Sequence, residues 1–263
     1  MAINDWKNFL MPYEQAVEEI KIKLKSIRKE FRRRNEYSPV EFVTGRVKEV
    51  SSILEKANKF EIPIDRVGYE LEDIAGIRIM CQFVDDIDRV VEILRERKDM
   101  TILYEKDYVR NVKESGYRSY HMIIKYPVYM ADGPVEILAE FQIRTLAMNF
   151  WATIEHSLNY KYKQQIPENL KHKLKSAAES AFKLDEEMLE IKDEIKDAQK
   201  LFEVKSDIIS NIMSKILTLT ALNRSAEAAR YQKALNKLVE DGEVWELNNL
   251  LSSIKRDIER YRD

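Results

Sequence analysis

The residues best suited to chemistry lie at alternating positions of short apolar segments. Between residues 135 and 143 the apolar side chains fall on every second position, and Glu140 and Gln142 lie between them. A strand places successive side chains on opposite faces, so these two polar groups share one face. The segment 77–83 alternates in the same way and carries Arg78 on its polar face. The pattern predicts a sheet with one face bearing carboxylate, amide and guanidinium groups.

A carboxylate and an imidazole are predicted to join this face from neighbouring segments. Asp73 lies just before the first strand, and the segment 119–126 carries Ser119, His121 and Lys125 on one side. Two carboxylates from separate strands are what a Mg²⁺-dependent phosphoryl-transfer site needs, because Mg²⁺ takes few protein ligands and leaves room for phosphate oxygens. A solvated sheet face would show the same pattern, and the pattern alone favours that alternative.

Two further groups have spacings that suit nucleotides. Lys48, Ser52 and Lys56 recur at every fourth position, so on a helix they share one face that can bind a polyphosphate. Gly116 allows a turn that presents Tyr117 as a flat surface for a base, and such stacking is worth about 1–3 kcal/mol. An exposed helix face and an ordinary turn explain the same residues. The sequence contains no Gly-x-Gly-x-x-Gly or Walker motif.

The elements that must position these residues follow from hydrophobic periodicity. Residues 5–34 predict an amphipathic helix, and a second helix is expected to carry Val43, Val47, Val50, Leu54 and Ala57 on one side. The period then changes, which predicts strands at 77–83, 101–109, 119–126 and 135–143 and a helix at 86–98. Asp132-Gly133 is typical of a hairpin turn between the last two strands. This order predicts an α/β (α+β) fold with a mixed sheet flanked by helices.

The C-terminal half is predicted to be entirely helical. The expected helices are 144–163, 168–204, 206–222, 225–240 and 243–262. An apolar stripe that requires burial runs through Leu201, Val204, Ile208, Ile212, Ile216 and Leu219.

Composition excludes several classes of protein. The chain has 263 residues, 34% of them charged, with 44 Lys+Arg against 46 Asp+Glu and a net charge of −2. The 44% of hydrophobic and 10% of aromatic residues argue against a disordered chain, and the 6 Gly and 6 Pro argue against a collagen-like chain. The near-neutral charge argues against a dedicated duplex-DNA binder. Cys81 is the single cysteine, so no disulfide can form within the chain. No signal peptide and no apolar run of about 18 residues occurs, and we expect a cytoplasmic protein without membrane contact.

Four motifs in fixed order resemble one enzyme family. They are Glu72-Asp73-Ile74-Ala75-Gly76-Ile77-Arg78, Gly116-Tyr117-Arg118-Ser119-Tyr120-His121, Glu140-Phe141-Gln142-Ile143-Arg144-Thr145 and the stretch 148–162. The first three resemble RelA/SpoT-type alarmone synthetases, and the fourth resembles the small RelQ type within that family. The resemblance covers about residues 5–200. It implies a nucleotidyltransferase-like synthetase domain over 1–200 and a helical C-terminal extension of unknown role over 201–263.

The resemblance implies a GTP/GDP pyrophosphokinase of the stringent response. Such an enzyme transfers the β,γ-pyrophosphate of ATP to the ribose 3′-OH of GDP or GTP and produces AMP with ppGpp or pppGpp. Long relatives also carry a hydrolase domain with a His-Asp metal motif. No His-Asp dipeptide occurs in this sequence, so we expect synthesis without hydrolysis.

The resemblance also assigns roles to single residues. Asp73 and Glu140 would bind Mg²⁺ as the catalytic carboxylates, and Glu140 would help to deprotonate the 3′-OH. The ATP site would comprise Arg46 and Arg78 around the adenine, with Lys48, Ser52 and Lys56 on the phosphates. The GTP/GDP site would comprise Tyr117, which stacks on guanine, with Lys113, His121, Gln142 and Asn149.

The RelQ type further implies a homotetramer with an allosteric pocket for the (p)ppGpp product. The matching positions are Lys25, Phe42, Thr44, Gly45 and Asn149, which an exposed face of the N-terminal region explains equally well. Members of this type also resemble binders of single-stranded RNA, for which the basic cluster at 28–34 is the candidate and a solvated helix end the alternative. A catalytically idle RNA-binding or scaffold module is the competing function. The presence of Asp73 and Glu140 argues against it.

Overall fold

The chain forms two compact units. The computed structural model describes residues 5–161 and 167–261. One unit extends to Leu189 and the other begins at Glu190. Among the described helices, none is both long and apolar enough to cross a membrane.

The first unit combines a mixed sheet with helices, as the sequence predicted. Its strands are β1 (Phe42–Val47), β2 (Ala75–Cys81), β3 (Thr101–Asp107), β4 (Tyr120–Met130) and β5 (Gly133–Thr145). Its helices are α1 (Trp6–Arg33), α2 (Val50–Lys59), α3 (Val67–Glu70), α4 (Val84–Arg95), α5 (Leu146–Lys161) and the start of α6 (Glu168–Ala221), with a 3₁₀ turn at Ile64–Arg66. The strand order is β1-β2-β5-β4-β3. Only the β2–β5 pair is parallel.

One face of the sheet carries the core. Ile77 and Ile79 of β2 and Phe141 and Ile143 of β5 are fully buried, which confirms the predicted alternation. Helix α1 packs on the sheet through residues such as Ile20. Burial of each such side chain contributes about 1.5–3 kcal/mol, so this face fixes the register of every strand.

The register brings polar residues into two rows across the opposite face. Arg78 of β2 pairs with Gln142 of β5, and Gln142 pairs in turn with His121 of β4. Two residues along, Gly76 of β2 pairs with Glu140 of β5. Side chains two apart on a strand share a face, so both rows face the same side of the sheet.

The helix predicted around 43–57 is wrong in its first part. Residues 42–47 form β1, antiparallel to β2, and the helix begins only at Val50. The apolar spacing of this segment satisfies a helical period, but Val43 and Val47 are β-branched and fit a pleated strand well. Because β1 lies at the sheet edge, its only strand partner is β2, and local periodicity could not reveal that pairing.

The other boundaries lie close to the predictions. The turn between β4 and β5 consists of Ala131 and Asp132, one position before the predicted Asp132-Gly133 pair, because Gly133 is already the first residue of β5 and pairs with Met130. Gly133 has φ +120°, a conformation that glycine adopts without strain. The helices expected at 168–204 and 206–222 are one continuous helix, α6.

The second unit is a helical bundle with its own core. The C-terminal part of α6 packs with α7 (Ser225–Asp241) and α8 (Val244–Arg260). Of the predicted apolar stripe, Ile212, Ile216 and Leu219 are buried in this core, whereas Leu201 and Val204 are 51% and 41% exposed.

Candidate active site

A cleft of about 250 Å³ opens over the polar rows of the sheet. Its lining residues are Thr44, Gly45, Arg46, Lys48, Asp73, Gly76, Arg78, Glu140 and Gln142. Arg46 pairs with Gly76, and Gly76 pairs with Glu140. Because Gly76 has no side chain, the space between the guanidinium of Arg46 and the carboxylate of Glu140 stays open.

Asp73 is the first carboxylate of the cleft, and two lysines hold it. Its Oδ2 accepts hydrogen bonds from Lys48 Nζ at 2.6 Å and from Lys56 Nζ at 2.8 Å. Burial acts to raise the pKa of Asp73, but the two ammonium groups outweigh it and leave the pKa below its ordinary value. Asp73 is therefore ionised at neutral pH.

Glu140 is the second carboxylate, and both of its oxygens have partners. His121 Nδ1 lies 2.8 Å from Oε1, and Gln142 Nε2 donates to Oε2 at 2.7 Å. Burial acts to raise the pKa of Glu140, while His121 and Gln142 lower it by a larger amount. The charge of Asp73 also acts on this pKa and raises it, which shows that the two carboxylates share one electrostatic environment.

Tyr117 joins this network through its hydroxyl group. Its Oη lies 2.7 Å from His121 Nε2 and accepts a hydrogen bond from Arg144 Nη2 at 2.6 Å. Lys113 Nζ lies 4.9 Å from the centre of the Tyr117 ring and 4.4 Å from that of Tyr108. The expected guanine-stacking residue thus belongs to an ordered aromatic and cationic group beside Glu140.

The cleft also carries an excess of guanidinium groups. Burial and the positive charges of Arg144 and Arg46 together lower the pKa of Arg78. Like charges collected in one cleft attract an anionic ligand, because the ligand relieves their mutual repulsion. The electrostatics therefore favour a polyphosphate.

The donor set fits a magnesium ion. Asp73 Oδ1 is buried and has no hydrogen-bond partner among the residues that the structure describes. A carboxylate oxygen withdrawn from water and left without a donor is suited to a cation. No group of three or more His, Cys, Asp or Glu side chains in the described ranges could hold a metal ion.

Not all of the remaining residues that were predicted to bind the nucleotides line the cleft. Lys48 precedes α2, so the predicted single helix face of Lys48, Ser52 and Lys56 is wrong; Lys48 and Lys56 meet instead at Asp73. Ser52 lies on α2, half-buried, outside the residues that line the cleft. Asn149 lies in the first turn of α5, with a buried Oδ1 that lacks a partner among the described residues.

The five positions predicted for an allosteric pocket lie on three elements of the first unit, α1, β1 and α5. Thr44 and Gly45 line the same cleft as Arg46. Phe42, at the start of β1, is 40% exposed, and Lys25 is exposed on α1. In the basic cluster at 28–34, Arg28 pairs with Glu41 at 2.7 Å and Arg34 pairs with Glu30.

Sequence reasoning left three residues of the site without a role. They are Gly76, Tyr108 and Arg144. Strand alternation was a usable signal for Arg144, since it lies two positions after Gln142 and four after Glu140. Gly76 and Tyr108 depend on pairing and loop geometry, which no local pattern contains.

Comparison with known proteins gives the family. Residues 45–165 match the model of the region found in RelA/SpoT proteins. The chain is 57% identical over 192 residues to GTP pyrophosphokinase YjbM of Bacillus subtilis, a match that covers 73% of this chain and 90% of the relative. The chain belongs to the small alarmone synthetases of the RelA/SpoT family.

Solved structures of this family agree with the fold. The small alarmone synthetase 1 of Bacillus subtilis bound to its product pppGpp superposes with a TM-score of 0.70 at 57% identity, covering 72% of this chain and 97% of that chain. GTP pyrophosphokinase YwaC of the same organism is 40% identical over 193 residues, covering 73% of this chain and 92% of the relative. About a quarter of this chain thus lies outside each match to a small alarmone synthetase.

Proposed function

We propose that this chain is an ATP:GTP 3′-pyrophosphotransferase, a (p)ppGpp synthetase. It transfers the β,γ-pyrophosphate of ATP to the ribose 3′-OH of GDP or GTP. The observation that carries the proposal is the placement of Asp73 and Glu140 over one cationic cleft, in a chain 57% identical to a GTP pyrophosphokinase over 90% of that relative's length.

The reaction is an in-line displacement at the β-phosphorus of ATP. The 3′-oxygen of the acceptor forms a bond to this phosphorus while the bond to the α,β-bridging oxygen breaks, and AMP leaves. The 3′-OH proton passes to the carboxylate of Glu140, which is ionised at neutral pH because its pKa is lowered. Positioning and charge neutralisation supply most of the catalysis of phosphoryl transfer.

The donor side of the cleft suits ATP. Arg46 and Arg78 present planar guanidinium groups that can stack on adenine. Lys48 and Lys56 already bind an anion, Asp73, at 2.6 and 2.8 Å, and this supports their role at the phosphates. Ser52 is proposed beside them.

The acceptor side suits a guanine nucleotide. Tyr117 provides the stacking surface. Lys113 lies over its ring and His121 contacts its hydroxyl group, while Gln142 is linked to Tyr117 through Arg144. Asn149 is proposed as a further contact, since its buried Oδ1 lacks a partner among the described residues and can accept a hydrogen bond from a base.

Asp73 and Glu140 would hold Mg²⁺. The bound ion would neutralise charge on the transferred phosphates and lower the barrier to displacement. Asp73 Oδ1, which has no hydrogen-bond partner within residues 5–161 and 167–261, supports this assignment. Glu140 would need to exchange one of its present donors, His121 or Gln142, for the metal.

The assembly and regulation expected of the RelQ type belong to the same proposal. They are a cytoplasmic homotetramer, a (p)ppGpp-binding pocket with Lys25, Phe42, Thr44, Gly45 and Asn149, and single-stranded RNA binding near 28–34. The proposed catalytic domain is 1–200, and the role of 201–263 is open to deletion mapping.

Incubation of the protein with γ-labelled ATP, GDP or GTP and Mg²⁺ tests the function directly. We expect label in ppGpp or pppGpp with equimolar AMP, and no release of pyrophosphate from the purified product. Glu140→Gln should lose at least about 100-fold in rate. Glu136→Gln is the matched control, because Glu136 shares the strand and its face but pairs with Lys125 outside the cleft.

Two results would contradict the proposal. Label that stays in ATP, even with added product as an activator, would favour the idle RNA-binding or scaffold module. Equal rates for Glu140→Gln and the wild type would remove Glu140 from catalysis.

A further inference from the structure

We propose that Arg144 is a positioning residue that orients the acceptor-nucleotide site without touching the nucleotide. This proposal rests on the proposed function, and it identifies the residue that orients the guanine-binding side of the site. Arg144 is 4% exposed. A buried guanidinium is costly unless its donors are satisfied, so the partners of Arg144 indicate why it is there.

The partners of Arg144 are neutral groups of the acceptor site. Its Nη2 donates to Tyr117 Oη at 2.6 Å and to Gln142 Oε1 at 2.7 Å, and its Nε donates to Ser119 Oγ at 3.2 Å. Its guanidinium also lies 5.1 Å from the centre of the Tyr117 ring. A structural arginine in a core is normally paired with a carboxylate, and no such ion pair holds Arg144 in the described ranges.

The first branch of hydrogen bonds runs from Arg144 through Tyr117 and His121 to Glu140. A guanidinium only donates, so the Tyr117 oxygen accepts from Arg144. Tyr117 Oη also lies 2.7 Å from His121 Nε2. The ionised carboxylate of Glu140 can only accept, so His121 Nδ1 carries a proton and donates to Glu140 Oε1 at 2.8 Å. The branch holds the Tyr117 ring and the His121 imidazole in one orientation each.

The second branch fixes the amide of Gln142. Its Oε1 accepts from Arg144 at 2.7 Å and from Arg78 Nε at 3.3 Å. With two donor-only arginines at the oxygen, the amide nitrogen must point the other way, and it donates to Glu140 Oε2 at 2.7 Å. Without Arg144, the amide of Gln142 would lose its nearer donor and could rotate.

The two branches share Arg144 at one end and Glu140 at the other. Tyr117, His121 and Gln142 are the proposed acceptor contacts, so one buried cation sets the orientation of all three. On the ATP side, Lys48 and Lys56 are held by Asp73, and Arg78 is linked to Arg144 through one shared acceptor, Gln142 Oε1, to which Arg78 donates at the longer distance of 3.3 Å. Loss of Arg144 should therefore weaken the binding of the acceptor nucleotide more than the binding of ATP.

Substitution of Arg144 with measurement of both nucleotides tests this selectivity. Arg144→Gln removes the charge and adds an acceptor, whereas Arg144→Lys keeps a donor-only cation. We expect Arg144→Gln to raise KM for GDP, and its Kd by calorimetry without ATP, at least roughly tenfold. The Kd for a non-hydrolysable ATP analogue should change less than about twofold. Arg144→Lys should recover part of the GDP affinity.

Controls separate this role from folding and from the proposed reaction. Arg110→Gln changes an exposed arginine paired with Asp88 and Asp107 and should leave both affinities unchanged. Tyr117→Phe, which removes one oxygen, should reproduce part of the loss even if Arg144→Gln does not fold.

The outcomes are distinct. The role of Arg144 would be overturned if both nucleotides lost affinity equally. It would also be overturned if GDP affinity stayed unchanged in folded Arg144→Gln and in Tyr117→Phe. A wild-type protein that binds GDP but makes no alarmone would instead overturn the proposed reaction, while the binding data would still test Arg144.

Discussion

At the scale of single residues, Lys48 and Lys56 provide a sharp test of the donor site. Each contacts Asp73 with less than a third of its side chain exposed, so each is held where phosphates are expected. Lys48→Met and Lys56→Met should each raise KM for ATP about tenfold, because charge-assisted hydrogen bonds are lost. Initial rates at varied ATP measure this effect.

The matched control is Lys59→Met on the same helix. Lys59 is exposed and lies over the Phe60 ring, 5.8 Å from its centre. Lys59→Met should leave KM for ATP unchanged. An equal effect at Lys59 and Lys56 would indicate a general charge effect rather than a specific phosphate contact.

Two glycines should respond oppositely to the same substitution. A Cβ at Gly76 would lie 3.9 Å from the nearest atom, Arg46 O, whereas one at Gly45 would lie 2.8 Å from Val17 Cγ1. Gly76→Ala should fold normally but fill the cleft and lower kcat/KM by about tenfold or more. Gly45→Ala should destabilise the fold by about 1–3 kcal/mol. Thermal melting and kinetics on both variants check the contrast, and a Tm loss confined to Gly76→Ala would contradict it.

At the scale of residues, most side chains of the candidate site could be selected from the sequence pattern. Alternation along the strands placed Glu140 and Gln142 on one face, and it placed Arg78 and His121 on polar positions of their own strands. Which of these residues lie next to one another across the sheet followed only from the strand register. The role of Arg144 was not predicted, because donor direction depends on which acceptors surround a buried group.

At the scale of elements, one buried carboxylate joins the sheet to the long helix. Asp185 of α6 is 5% exposed and accepts a hydrogen bond from Thr145 Oγ1 at 2.6 Å. Thr145 also caps α5, since Met148 N donates to its hydroxyl at 3.1 Å. Burial raises the pKa of Asp185 to about 6, against the opposing effects of Thr145 and Arg118.

This raised pKa predicts a pH-dependent stability. The folded state binds a proton more tightly than the unfolded state, so the contribution of Asp185 falls as pH rises from 3.8 to about 6. Asp185→Asn keeps an acceptor for Thr145 without the charge. It should raise Tm by a few degrees at pH 7.5, and the gain should shrink by pH 5.

The exposed Asp193 on the same helix provides the comparison. Asp193→Asn should leave Tm unchanged at both pH values. A gain for Asp185→Asn that stayed constant between pH 5 and 7.5 would exclude its ionisation as the cause.

Elements with a long, consistent period were predictable from sequence, and β1 was not. Helix α1 and strands β2 to β5 each repeat one period over most of their length. The six residues of β1 are followed by only two connecting residues before α2, so the apolar positions of strand and helix merged into one apparent helical pattern.

At the scale of the whole molecule, the two units have separate cores. Ile79 is fully buried in the core of the first unit, and Ile254 is fully buried in the core of the second. Replacing either by Ala should cost about 2–5 kcal/mol within its own unit. Calorimetry should show two unfolding transitions, with Ile254→Ala lowering one and Ile79→Ala the other.

Enzyme assays add a second measurement of this independence. Because the cleft lies wholly within the first unit, Ile254→Ala should keep its kcat/KM at temperatures below both transitions. A single transition lowered by both substitutions would contradict separate cores. The sequence predicted that the C-terminal region is helical, but it could not predict which parts of the apolar stripe are covered, since burial depends on the packing of α7 and α8.

The pairing of Lys48 and Lys56 with Asp73 has one more consequence. Before any substrate is present, both ammonium groups already have an anionic partner of the chain's own, so few mobile anions from the buffer need to associate with them. Phosphate binding then exchanges one fixed anion for another and releases little bound salt. The contribution of these two lysines to substrate affinity should consequently depend little on the ionic strength of the surrounding solution.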